Sequence, residues 1–360
     1  MAKFPRLNEI PARCRDWVDK RINLSELVRT NVTEYKVPHN LSWWYSLGSV
    51  LFAFLATQFI TGILLLMYYV PSTDRAFDSV LNLVNNVPFG WFIRRVHAVG
   101  ANMFVLALFL HMLSTMFMGS YKKPREMQWL SGFLLFFLGL TACLSGYLLP
   151  WSQLSYWATT VATNSMGGIP FIGEEIIRWV RGGDRVTQLT LGRFYSLHVS
   201  VLPLLFLALV GAHILFMRRT GISAPPGTDK EKVAKLPFYP HYILEDMRLI
   251  YIFLGIMFIF VFFTPQLFFA KDALEVADPF YTPAHIKPEW YFLASYQTLK
   301  IVPNKYVGIL GQAAAALFLF LLPFIDRGTE RRPWKRPVFL ALFILGVAAY
   351  IGLTIWGAKS

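Results

Sequence analysis

"YSLHVSVLPLLFLALVGAHILF", residues 195–216, is an apolar run of membrane-crossing length that carries two histidines, His198 and His213. About 20 apolar residues in a helix span the roughly 30 Å hydrocarbon core of a bilayer. An ionisable side chain at that depth is costly, and it marks a pathway or a ligand site. Six further windows of the same kind lie at about 43–69, 91–118, 129–149, 248–270, 306–325 and 337–357. The runs are continuous rather than alternating, which indicates helices and not a barrel. The expectation is an all-α integral membrane protein with seven transmembrane helices.

Composition agrees. The 360 residues are 55% hydrophobic and only 15% charged, too apolar for a soluble chain. A net charge of +13 would suggest nucleic acid in a soluble domain, but here its distribution sets topology. Eight Lys and Arg precede the first span, three lie in 118–128, six in 218–248 and five in 326–336, so one side holds 22 of the 34 and the other 12. By the positive-inside rule the N-terminus is cytoplasmic and the chain is a multi-pass protein of the inner (cytoplasmic) membrane, with lipid and not nucleic acid around it. Residues 1–42 show no cleavable signal and read as a cytoplasmic amphipathic segment. Cys14 and Cys143 make neither a disulfide framework nor a CxxCH haem attachment. A Pro-, Gly- and Lys-rich linker, 218–247, separates a four-helix block (43–217) from a three-helix block (248–360). Two outside loops, 150–195 and 271–304, are long enough to carry function.

The second span, "VHAVGANMFVLALFLHML", holds His97 and His111. The histidines are 14 residues apart here and 15 apart in the opening stretch, a rise of roughly 21–23 Å that keeps each pair broadly on one helix face. Both spans run outside to inside, so His97 lies level with His198 near the outer face and His111 with His213 near the inner. Two imidazoles opposed at one depth suit an iron held axially from both sides, as in bis-histidine haem. Gly48 and Gly62 in the first span, and Gly132 and Gly146 in the third, repeat the interval of 14; a flat macrocycle between helices needs such bare positions. Glycine alone is ordinary close packing in membranes. The matched pairs together indicate two haems. His39, His241 and His285 lie in loops and are not assigned as ligands.

These residues, with "GYLLPWSQLSYWA" (146–158), "RFYSLH" (193–198) and "PEWYF" (288–292), resemble the cytochrome b of cytochrome bc and b/f complexes over nearly the whole chain. The 14/15 spacing is similar to the b/f branch, which divides the two blocks between separate subunits; "HAVGANMF" and "TTVATN" look closer to the bc branch. The resemblance implies two non-covalent b haems, His97/His198 outside and His111/His213 inside. Quinol would be oxidised at the outer face, and electrons would cross to a quinone near the inner one. It also implies a Rieske-type iron–sulfur protein, a c-type cytochrome and a homodimeric complex as partners. The b/f branch links a further haem to a cysteine in the first span; the matching stretch here, "WWYSLGS", has Ser46, so no covalent third haem is expected.

Within the resemblance, Pro288, Glu289, Trp290 and Tyr291 form the quinol motif, with Tyr147, Pro150 and Trp151 as the opposite wall. A carboxylate at a partly desolvated membrane edge can accept a quinol proton near neutral pH, which assigns Glu289 as base and Tyr291 as its neighbour. Arg94 and Arg193, at the outer edge, are candidate partners for haem propionates, with interface snorkelling as the plain alternative. Arg218 is a candidate for the inner quinone site. Two rivals stand beside this reading. One is a di-haem anchor of another quinone-linked oxidoreductase, which would not need the outer loop motifs. The other is a transporter using histidines as a proton relay, which would carry no pigment.

Overall fold

Helices dominate the computed structural model, which describes residues 12–228, 233–284 and 286–360. Residues 1–11 of the N-terminal segment, 229–232 of the linker and His285 lie outside the described residues. The chain opens with α1 (Ala12–Ile22) and α2 (Leu24–Val28), followed by α3 (Leu47–Leu66), which a 3₁₀ turn at Trp43–Ser46 precedes. Next come α4 (Ala76–Asn86), α5 (Gly90–Phe117), α6 (Glu126–Leu148), α7 (Gln153–Ser165) and α8 (Gly173–Arg181). The stretch quoted above begins in α9 (Gln188–Ser196) and continues through a π turn, Leu197–Val201, into α10 (Leu202–Thr220). The second block holds α11 (Ile243–Phe263), α12 (Leu293–Ile301), α13 (Lys305–Phe320), α14 (Leu322–Ile325) and α15 (Pro337–Lys359).

Six helices among the described residues are long and apolar enough to cross a membrane: 43–66, 90–117, 126–148, 188–220, 238–263 and 337–359. The remaining window, 306–325, is interrupted. It forms the 16-residue α13 and then the short α14, whose second residue is Pro323. Proline has no N–H for the carbonyl four residues back, here Leu319. That carbonyl accepts instead from the indole of Trp129 on α6, at 2.9 Å. The break thus pins the second block against the first.

The first block and α11 share one core. Leu47, Val50 and Phe54 of α3, Val96, Val99, Phe104 and Leu108 of α5, Phe136 of α6, Phe206 of α10 and Met257 of α11 are all buried together. At one end of the bundle the two long loops are stitched to one another. Gln153 N–H donates to Glu275 O at 2.9 Å, Ala277 N–H to Trp151 O at 3.1 Å, and Asp278 N–H to the Gln153 side chain at 3.0 Å. At the opposite end, Lys122 Nζ donates to the Asp326 carboxylate at 2.7 Å and to Gly328 O at 2.6 Å, while Tyr121 and Arg336 close on the same carboxylate. The N-terminal segment and linker, separate by sequence, pair as two short antiparallel strands, β1 (Lys36–Pro38) and β2 (Lys235–Pro237).

Candidate functional site

The four glycines meet the four histidines one to one. A Cβ built on Gly62 would lie 3.4 Å from His97 Cε1, on Gly48 3.7 Å from His111 Cε1, on Gly132 3.0 Å from His213 Cε1 and on Gly146 2.5 Å from His198 Cε1. α3 therefore backs the two histidines of α5, and α6 backs His198 of the π turn and His213 of α10. Across the bundle the rings of His97 and His198 stand 6.3 Å apart, centre to centre. Metal–imidazole bonds of about 2.0 Å on each side, with roughly 1.2 Å from each nitrogen to its ring centre, require about 6.4 Å. The separation of the His97 and His198 rings therefore fits one iron held between them. His111 and His213 face a cavity of about 700 Å³, within the range of a cofactor site. Midway between the two levels the rings of Phe104 and Phe206 meet edge to face at 6.2 Å.

The unequal spacing of the histidines has a local cause. His198 lies in the π turn, where Leu202 N–H reaches back five residues to Leu197 O. Pro203 cannot donate to Val199 O, which favours the wider turn. A π turn absorbs one extra residue, so 15 residues in this helix cover the angle that 14 cover in α5. Both pairs then align.

A second cavity, of about 200 Å³, opens on the other side of α6. Its walls include Cys143 and Tyr147 of α6, Ala158 of α7, and Pro288, Glu289 and Tyr291 of the outer loop. Glu289 lies outside the spanning helices. Burial raises its carboxyl above the usual range, and a hydrogen bond from Tyr147 opposes the shift in part. Burial likewise raises the Tyr291 phenol far above its ordinary value, leaving it a donor throughout the neutral range. One helix, α6, thus presents Gly146 to His198 and Tyr147 to this cavity. Only its thickness separates the two sites.

The inner cavity holds polar groups in an otherwise apolar wall. Asp246, at the start of α11, accepts from Ser49 Oγ at 2.7 Å, while its second carboxylate oxygen is buried without a partner. Arg218 lies over the rings of Tyr35 and Phe238, at 4.3 and 4.9 Å, and also lines this cavity.

Residues 32–221 match the family described as "Cytochrome b/b6/petB", and residues 276–360 match "Cytochrome b(C-terminal)/b6/petD". The chain belongs to the cytochrome b family. It is 40% identical to the cytochrome b of Rickettsia bellii over 345 residues, covering 96% of this chain and 86% of that one. It is 38% identical over 344 residues to "Cytochrome b/c1" of Bradyrhizobium diazoefficiens, covering 95% of this chain and 50% of that longer one. A solved structure described as "Hyperthermophilic respiratory Complex III" aligns with a TM-score of 0.88 at 39% identity, over 95% of this chain and 91% of the other.

The structure brings together the four histidines with their glycines, and Tyr147 with Pro288, Glu289 and Tyr291. Three expected wall residues do not line the outer cavity. Trp290 turns toward α5 and donates to Asn102 Oδ1 at 2.9 Å. Trp151 is buried with Tyr156 and Leu191 in a separate outer cluster, with its backbone at φ 51°. Pro150 ends α6 ahead of that turn. Each holds a loop rather than facing the space. Arg94 lies over the Phe269 ring at 4.9 Å. Arg193 is exposed and donates to Trp179 O at the end of α8, so it serves the outer loop and does not turn into the bundle. Sequence reasoning missed Asp246; an acid in the first turn of a span, "ILEDMR", was its only signal. It also missed Ala158 and Cys143 as cavity wall.

Proposed function

We propose that this chain is the cytochrome b subunit of a quinol:cytochrome c oxidoreductase, with seven spans, a cytoplasmic N-terminus and a place in the inner membrane. Family membership supports a quinol-oxidising, multi-pass membrane subunit. The observation that carries the finer reading is the outer cavity, where the Glu289 carboxylate, Tyr147 and Tyr291 converge one helix away from the His97/His198 pair.

In this reading His97 and His198 hold one b haem and His111 and His213 a second, neither covalently linked. When bound, the haems supply a one-electron path across the membrane. Glu289, in its carboxylate form, accepts a proton from a quinol hydroxyl as electrons leave; Tyr147 and Tyr291 hold the head group in place. At the inner face Asp246 and Arg218 hold the quinone, with Asp246 positioned to deliver protons. Proton release outside and uptake inside build a gradient. Exposed Phe171, Trp179 and Phe280 offer an apolar outer surface to a Rieske-type iron–sulfur protein, which passes electrons to a c-type cytochrome; the complex is a homodimer.

The test is Glu289→Gln, which keeps size and hydrogen bonding but cannot act as a base. General-base assistance is worth about 10²–10⁴-fold. Quinol:cytochrome c turnover is expected to fall by that order with the b-haem spectrum intact. Unchanged turnover would remove Glu289 from the reaction.

A further inference from the structure

Three of the four histidine ring nitrogens turned away from the haem positions meet a hydroxyl from the residue just before the facing glycine. Thr61 Oγ1 is 2.8 Å from His97 Nδ1, Ser145 Oγ 3.2 Å from His198 Nδ1 and Ser131 Oγ 2.9 Å from His213 Nδ1. The hydroxyl protons are already committed to the helix backbone: Thr61 donates to Thr57 O at 2.6 Å, Ser145 to Ala142 O at 3.1 Å and Ser131 to Gln128 O at 3.0 Å. Each oxygen can then only accept, so the ring donates its Nδ1–H. A carbonyl, which can do nothing but accept, lies on His198 Nδ1 at 3.0 Å, from Ala142. This fixes the tautomer and leaves each Nε2 lone pair free for iron.

The fourth position breaks the pattern. Leu47 precedes Gly48, and His111 Nδ1 is buried with no partner. On the α6 side the two haem sites are alike, since Ala142, Ser145 and Gly146 repeat as Gln128, Ser131 and Gly132, 14 residues earlier. Among the four histidines, the one ring without any Nδ1 partner is His111, so the outer and inner sites differ most at Thr61 against Leu47.

We propose that Thr61 is a positioning residue that biases electrons inward. An imidazole that donates from Nδ1 is a stronger donor through Nε2 and stabilises the oxidised metal. The outer site, with both ligands so engaged, holds ferric iron more firmly than the inner site, where only His213 is. An electron shared between them then favours the inner site, the direction needed after quinol oxidation outside. Nothing else moves: one iron is oxidised, the other reduced, with no proton exchanged. The inference rests on the haem assignment above.

The experiment is a potentiometric titration of both b haems in the purified complex, for wild type, Thr61→Val, Thr61→Ser and Leu47→Thr, with haem content measured in parallel. One hydrogen bond changes an equilibrium by at most about tenfold, which is about 59 mV for one electron. Thr61→Val is expected to raise the outer midpoint within that bound and leave the inner one unchanged. Thr61→Ser restores it, and Leu47→Thr lowers the inner midpoint alone. Both haems present with midpoints unmoved in Thr61→Val and Leu47→Thr would overturn the proposal. Loss of the outer haem from Thr61→Val but not Thr61→Ser, with the Leu47→Thr midpoint unmoved, would also overturn it, leaving the hydroxyl a mere support for the ring. A wild type without two b haems would instead refute the haem assignment itself.

Discussion

Replacing each bundle glycine by alanine gives four tests of one geometry, and the distances rank them. Ordinary carbon–carbon contact is about 3.5–4.0 Å. A methyl on Gly146 would sit 2.5 Å from His198 Cε1 and 3.0 Å from both ring nitrogens, so the imidazole must retreat by about 1 Å. That motion carries Nε2 away from the iron position. Overpacking of this kind costs about 1–3 kcal/mol, a loss of about 5- to 150-fold in affinity. On Gly48 the same methyl would be 3.7 Å from His111 Cε1, an ordinary contact. Gly146→Ala should therefore deplete the outer haem most, Gly132→Ala the inner haem less, Gly62→Ala little and Gly48→Ala least. Haem per chain and the reduced-minus-oxidised spectrum of each purified variant give the readout. Inner haem lost from Gly48→Ala as readily as outer haem from Gly146→Ala would refute the reasoning.

Further outcomes follow from the same structure. His198→Leu should remove the outer haem and His213→Leu the inner one, each leaving the other's spectral band; retention of both at full occupancy would contradict the assignment. Because burial raises the Glu289 carboxyl, and a base must be ionised, wild-type turnover should rise with pH through that raised value; Glu289→Gln should lose this limb of the profile, and a profile of unchanged shape would count against it. Asp326 is held below the ordinary carboxyl value: burial pushes it up, but Lys122, Tyr121 and Arg336 outweigh burial. Its stabilising contribution is thus present above the unfolded value of about 3.9 and lost as pH falls below it. Asp326→Asn should lower the thermal midpoint of the complex at neutral pH, with the difference from wild type shrinking toward pH 3, where a constant difference would show that the charge is not involved.

Much of this was legible in the residues. Length, apolarity and basic asymmetry gave spanning helices, and the repeated intervals brought each glycine to its histidine. Other features were hidden because they depend on backbone detail or on partners distant in sequence. The 15-residue interval placed His198 and His213 only broadly on one face; the π turn at Leu197–Val201, which brings it into line with the 14-residue interval of α5, left no mark in the apolar pattern. Trp290 read as cavity wall because its neighbours are; its indole instead finds Asn102, 188 positions away. Asp246 gave a weak signal, since a lone acid at a span's start is common, and only its orphaned oxygen in the inner cavity distinguishes it. Pro323 was visible, but not that the carbonyl it frees would be taken by Trp129.

The most direct measurement of the central claim is haem stoichiometry on the purified 41.3 kDa polypeptide within its complex, by extraction and pyridine haemochrome assay, followed by haem staining of the denatured chain. Two extractable b haems per chain and an unstained band are expected. One haem or none, or a stained band at that mass, would contradict the claim.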